Sequence, residues 1–289
     1  MADTVSAPIE ITVKVPGFEL AAKVWGPPSG RPVLALHGWL DNAATFDRIA
    51  PALPGCRVVA LDLPGHGRSS HAPPGVLYPF IDLVAAAHGA LESLGWERCA
   101  LVGHSLGAGV SAVLAGTFPE RVERLVLLEG LGPLTTEPED APERLAGALR
   151  EQARRQPRPP TTYPDRAHVA RLLAMSPSKL EPSSIETLLD RGLEDVDGGV
   201  RWATDRRLRY ASRVRFTEPQ VLAFLRRIVC PALLVFADDG FRMPEAVSKA
   251  RIEAIADLRT AEVPGRHHVH LDDAAAVVPH VAAFLESLE

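Results

Sequence analysis

The sequence predicts a doubly wound, mostly parallel α/β sheet of eight strands, with a helical lid inserted after the sixth strand. Three observations carry this expectation. Short, continuous apolar runs alternate along the chain with segments whose apolar residues recur at helical spacing. One such run leads through Gly103-His104-Ser105-Leu106-Gly107 into a stretch of small residues, a strand-to-helix turn built around a serine. Between Pro133 and Phe216 the alternation stops, and proline and charge become dense. The chain therefore divides into a core, 1–132 with 217–289, and a lid, 133–216.

The elements follow in order. Ile9–Val15 alternates apolar and polar residues, as a half-exposed strand does, and Pro16-Gly17 turns it into an antiparallel partner at Phe18–Trp25. Pro32–Leu36 and Arg57–Leu61 are short buried strands, separated by a helix expected over Ala43–Leu53. Tyr78–Leu94 has the spacing of an amphipathic helix, Cys99–Val102 is a strand, and Leu106–Thr117 is a helix packed close to the sheet. Arg121–Leu128 is the sixth strand. In the lid, Val169, Leu172 and Leu173, then Ile185, Leu188 and Leu189, keep helical spacing, and no strand is expected there. Its Arg-rich runs, such as Arg201–Tyr210, are read as solvated, salt-bridged faces. Trp202, Tyr210, Met175 and Tyr163 suit either a pocket lining or the lid's own core. Glu218–Ile228, Met243–Ala256 and Ala274–Leu288 are helices, and Ala232–Phe236 and Thr260–Val263 the last two strands.

Bulk properties remove several function classes. A net charge of −5 argues against nucleic acid as a partner. The N-terminus has neither a basic region nor an apolar core, so no signal peptide is expected, and no apolar run is long enough to cross a membrane. The three cysteines are far apart and read as buried hydrophobes in a reducing compartment, hence a cytoplasmic location. A monomer or weak homodimer is the default.

A serine hydroxyl is a weak nucleophile at neutral pH and needs a base, which in turn needs a partner to orient it. Ser105 is the candidate nucleophile. The candidate base is His267, in the loop Gly265-Arg266-His267 after the last strand, with His268 as the alternative and His270 assigned to packing or fixing the loop. The spacing His267-His268-x-His270 in a short loop lacks a carboxylate on a matched element, so neither a metal nor another cofactor is expected. Two strand ends offer an acid. Glu129 lies directly at one; Asp239 near the other is the alternative, one residue out of the register a side chain there would need. His37-Gly38-Trp39 follows a strand, as an oxyanion loop does, and nominates the N–H groups of Trp39 and Leu106 as oxyanion donors. Asp62 and His66 precede the serine, and partners of a serine in this setting follow it, so both are read as hydrogen-bonders that fix their loop.

Taken together, His37-Gly-Trp-Leu-Asp-Asn-Ala43, Asp62-Leu-Pro-Gly-His-Gly-Arg-Ser-Ser70, Gly103-His-Ser-Leu-Gly107 and Gly265-Arg-His-His-Val-His270 resemble the α/β-hydrolase fold, and within it the serine hydrolase-like proteins. The resemblance covers nearly the whole chain apart from the lid. It implies a serine hydrolase acting on a small-molecule acyl substrate, an ester or a related thioester, lactone or C–C bond, without naming that substrate. Relatives that take their acid from the later strand carry it at the register of Gly240, whereas the serine hydrolase-like proteins carry an acidic residue at the position of Glu129. Dehalogenases and epoxide hydrolases of the same fold have aspartate where Ser105 stands. A small-molecule binding module on the same scaffold is the reading outside enzymology.

Overall fold

The chain opens with β1 (Ile9–Val15) and β2 (Phe18–Trp25), paired antiparallel through the turn at Gly17. Then come β3 (Arg31–Leu36), β4 (Cys56–Leu61), β5 (Cys99–His104) and β6 (Val122–Leu128), with helices α1 (Phe80–Leu94) and α2 (Leu106–Thr117) between them. After a long insertion, α6 (Glu218–Leu225), β9 (Ala232–Asp239), α7 (Glu245–Ala254), β10 (Leu258–Arg266), the short α8 (Val269–Asp272) and α9 (Ala274–Glu286) complete the chain. This computed structural model describes residues 7–155, 159–176 and 179–286. The predicted N-terminal reading over 1–6, Gln156-Pro157-Arg158 of the predicted lid, and Ser287 and Leu288 of the last predicted helix lie outside the described residues.

The main sheet has eight strands in the order β1-β2-β4-β3-β5-β6-β9-β10, parallel from β4 to β10. Its central strands are buried on both faces, which is why they read as continuous apolar runs. Along β3, Leu34 and Leu36 enter one core with α1 and α2, and Val33 and Ala35 enter the opposite core with α9. The sequence prediction of the fold class holds, and the strand ends put their loops at one edge of the sheet.

Boundaries differ where proline intervenes. The helix predicted over Ala43–Leu53 is two 3₁₀ turns, Ala43–Phe46 and Ala50–Ala52. Pro51 has no N–H to continue a helix, and its ring crowds the preceding turn. Helix α1 starts at Phe80 rather than Tyr78 because Pro79 disfavours helical geometry in the residue before it.

Among the described residues, the insertion from 133 to 216 contributes no strand to the main sheet. It holds α3 (Ala141–Arg154), α4 (Arg166–Ala174) and α5 (Pro182–Gly192), and also a hairpin of β7 (Leu193–Val196) and β8 (Gly199–Trp202), contrary to the expectation of no strand. Val196 pairs with Gly199, so Asp197-Gly198 is the two-residue turn, with Gly198 at φ 85°. Asp-Gly is a strong hairpin signal, masked here by the charge around it. Tyr163 and Trp202 pack on a separate core of Val169, Ile185, Leu188, Leu189 and Val200, so they belong to the insertion's own interior. Met175 is 84% exposed, and Tyr210 lies under the Arg155 guanidinium. Among the described residues no helix is long and apolar enough to cross a membrane.

Candidate active site

The parallel register of β5 and β6 pairs His104 with Leu128, so the next residues, Ser105 and Glu129, leave adjacent strand ends side by side. Both have positive φ, 51° at Ser105 and 55° at Glu129, conformations that non-glycine residues seldom adopt without support. The Ser105 N–H donates to Leu128 O at 2.9 Å and the Glu129 N–H to Val235 O at 2.9 Å, which holds each turn in place. Close packing at the elbow explains the flanking glycines. A Cβ on Gly103 would lie 2.4 Å from Gly107 O, and one on Gly107 would lie 1.9 Å from Leu36 O.

His267 follows β10 and reaches both residues. Its Nε2 is 2.9 Å from Ser105 Oγ, and its Nδ1 is 3.0 Å from Glu129 Oε2. Glu129 is 2% exposed and its carboxylate accepts two further hydrogen bonds, from Ala237 N–H at 2.5 Å and Phe241 N–H at 2.8 Å. Burial raises the carboxyl's pKa, but the bonds from His267 and the two amides outweigh it and hold the group below its ordinary value. The space for this carboxylate exists because residue 240 is glycine: a Cβ there would stand 2.4 Å from both Glu129 oxygens. Asp239 is turned away, its side chain 77% exposed and 3.8 Å from the Arg266 guanidinium. Asp238 instead accepts the Gly265 N–H at 2.9 Å and so shapes the histidine loop.

The loop after β3 is pinned by His37. Its Nδ1–H donates to Gly38 O at 2.7 Å and its Nε2 accepts the Leu63 N–H at 2.9 Å, which fixes a neutral tautomer. Burial lowers the ring's pKa to about 4, in keeping with that role. The Asp41 N–H also donates to Gly38 O, at 3.2 Å. In a trans peptide the following N–H points opposite to the carbonyl, so the Trp39 N–H faces away from this pinned side. Leu106 opens α2, where N–H groups have no partner inside the helix. Asp62 is fully buried and accepts from Ala43 N–H at 2.7 Å and Arg68 N–H at 2.8 Å, and His66 Nδ1–H donates to Pro64 O at 3.1 Å.

A serine, a histidine and a carboxylate thus meet on the loops of a doubly wound sheet, the serine on a strained strand-to-helix turn. The sequence matches the α/β-hydrolase fold family over residues 31–274. The chain belongs to that family. It is 35% identical to a serine hydrolase-like protein of Danio rerio, over 96% of this chain and 88% of the relative. It is 34% identical to serine hydrolase-like protein 2 of Homo sapiens, over 96% of this chain and 94% of the relative. A hypothetical protein of Pseudomonas aeruginosa PAO1 has a similar structure, with a TM-score of 0.89, 42% identity and coverage of 96% of this chain and 97% of that one. A thioesterase domain from the curacin biosynthetic pathway follows at a TM-score of 0.84 and 28% identity, covering 96% and 99%.

Within this hydrolase fold, sequence reasoning missed a second layer of side chains behind the serine and histidine. His268 Nε2 is 3.1 Å from Asp41 Oδ2, and His270 Nε2 is 2.8 Å from Thr45 Oγ1, so neither is the histidine against Ser105. Burial opposes the Asp41 charge, yet the neighbouring His268 holds its carboxyl well below the usual range. Burial likewise opposes protonation of His268, and the Asp41 carboxylate more than offsets it, raising its pKa. His104, inside the Gly-His-Ser-Leu-Gly motif, donates from Nε2 to the backbone carbonyl of His267 at 2.8 Å. The only signal for this layer was the density of histidine beside the motifs.

Two buried arginines, also missed, tie the insertion to the hydrolase core. Arg191 of α5 donates from Nε to both Asp62 oxygens at 2.9 Å and from Nη1 to Glu10 at 2.6 Å. Arg251 of α7 donates to Leu131 O at 2.7 Å and is paired with Glu218 at 2.6 Å, gripping the chain on either side of the insertion. Trp39, 54% exposed, donates from its indole N–H to Leu208 O at 3.0 Å.

Proposed function

We propose that this chain is a serine hydrolase that cleaves a carboxylic ester or a related acyl compound through an acyl-enzyme. The observation that carries the reading is the continuous hydrogen-bonded chain from Ser105 Oγ through both nitrogens of His267 to Glu129. In this scheme Ser105 Oγ attacks the substrate carbonyl carbon as its proton passes to His267 Nε2. Glu129, accepting from Nδ1, holds the ring in the productive tautomer and balances the charge of the imidazolium. The N–H groups of Trp39 and Leu106 hold the oxyanion, each contributing on the order of 3 kcal/mol to the transition state. The alkoxide leaves with the proton from His267. Water, deprotonated by the same ring, then attacks the acyl-serine, releasing the acid and restoring Ser105.

The segment 133–216 acts as a lid over the loop edge, hinged between the grips of Arg251 and closed onto the core by Arg191. Every residue in the scheme comes from one chain, so a second copy is not required. A thioester substrate is the second reading, favoured by the similarity to the thioesterase domain over nearly the full chain.

The test is labelling with a fluorophosphonate, followed by peptide mapping. The wild type gains one adduct on Ser105 rapidly. The Ser105→Ala variant gains none, Glu129→Gln reacts slower by a factor on the order of 10⁴, and Asp239→Asn reacts like the wild type. An unlabelled, folded wild type would sink the proposal in favour of a binding module. A single burst without turnover on nitrophenyl esters or thioesters would do the same.

A further inference from the structure

We propose that Asp41, His104 and His268 form a binding site for one divalent transition-metal cation of borderline softness, such as Zn²⁺. The three residues are buried, and their ligand atoms all lie within 4.8 Å of one another. Asp41 Oδ2 is 3.1 Å from His268 Nε2 and 3.5 Å from His104 Nδ1. Ligands held at the usual zinc distances around a tetrahedral ion stand roughly 3.3 Å apart, so the set closes on an ion with small movements. Two imidazoles and one carboxylate are the donors such ions take, and they leave further positions open.

The tautomer of His104 points to a cation. Its Nε2 must carry the proton, because it donates to the carbonyl of His267. Its Nδ1 therefore presents a lone pair, fully buried, toward the carboxylate of Asp41, and it has no hydrogen-bond partner. Two acceptors facing each other in a dry interior repel. The pairing of His268 with Asp41 neutralises the carboxylate but leaves the His104 lone pair unanswered. A divalent cation that displaces the proton of His268 Nε2 to solvent, leaving the ring's other proton on Nδ1, ligates all three atoms at once. The bond from His104 to the His267 carbonyl is also the partner that a metal-bound imidazole characteristically gives its other N–H.

The sequence reading dismissed a metal because the histidine loop has no carboxylate on a matched element. Folding supplies one from 227 residues away, on the loop after β3. The three ligands come from three different segments: the loop that carries Trp39, the end of β5 just before Ser105, and the loop that carries His267. The cation would therefore staple together the backbone segments that frame the active site, without touching Ser105 or Glu129. This inference does not depend on the hydrolytic reading, and its readouts do not involve turnover.

The experiment strips the full chain with a chelator, adds Zn²⁺ or Co²⁺, desalts, and measures metal by mass spectrometry. About one equivalent per chain is expected, with a rise in Tm on loading. Bound Co²⁺ is expected to show visible d–d bands without thiolate charge transfer. It should also give two exchangeable, hyperfine-shifted imidazole N–H resonances, one for each ligand histidine. The variants Asp41→Asn and His268→Gln should bind more than about tenfold more weakly, whereas His71→Gln, at an exposed histidine, should bind like the wild type. Absence of retained metal in the wild type would overturn the proposal. So would undiminished binding by a folded His268→Gln, or any other number of shifted N–H resonances in the wild type, which needs no variant to fold.

Discussion

At the scale of single residues, the candidate active site rests on an atom that is missing. The Glu129 carboxylate fills the place that a side chain on Gly240 would take. Any side chain at position 240 therefore competes with the Glu129 carboxylate for the same space. Gly240→Ala should push Glu129 off His267 Nδ1. Steady-state kinetics on a nitrophenyl ester should show kcat falling by about 10²-fold or more with little change in KM, because ground-state binding does not use Glu129. A Gly240→Ala enzyme with wild-type kcat would mean that the Glu129–His267 contact is not used in turnover. The positive φ of Ser105 and Glu129 belongs to the same scale, since both residues hold a strained conformation that aims their side chains along one edge.

At the scale of elements, what holds the insertion to the sheet is charge buried deliberately in pairs. Arg191 is 3% exposed in its side chain and Asp62 is wholly buried, and each is the other's main counter-ion. Removing one partner strands the other in a low-dielectric interior, which typically costs about 3–5 kcal/mol. Arg191→Met should therefore lower unfolding stability by roughly 3 kcal/mol in urea titrations. Breaking the exposed Arg150–Glu143 pair should cost less than about 1 kcal/mol. Equal effects from the two substitutions would show that Asp62 finds other compensation. The β7–β8 hairpin adds a lesson about reading elements. Its strands are short and charged, so periodicity does not announce them, but the Asp197-Gly198 turn does.

At the scale of the whole molecule, the buried histidines make stability depend on acid. Burial lowers His37 to about 4 and His66 to about 3, and both titrate near 6.5 when unfolded. Between those values the unfolded chain binds more protons than the folded one, so stability rises with pH across that window. The contribution is complete above pH 6.5 and is lost as pH falls toward the folded values, at up to about 1.4 kcal/mol per pH unit for each histidine. Urea midpoints measured between pH 7.5 and 4.5 should fall steeply in the wild type and less steeply in His66→Asn. Parallel slopes would show that His66 becomes protonated without cost.

Much of this molecule was legible in its sequence, for reasons that are local. Strands buried on both faces must be apolar throughout, a sharp turn from strand to helix must be flanked by small residues, and a helix stops where proline or glycine stops it. These rules act between neighbours in the chain, so the eight-stranded sheet, the turn at Ser105 and the loop of His267 could be read directly. What the sequence left open depends on partners far apart. Whether Glu129 or Asp239 faces His267 turns on the register of β6 against β9 and on the absent Cβ of Gly240, across 138 residues. The choice of His267 over His268 depends on Asp41 capturing the latter. Nothing local in the sequence set Arg191 apart, and only folding pairs it with Asp62. Periodicity records which face of an element is dry, whereas the identity of a buried side chain's partner is fixed only when separate elements meet.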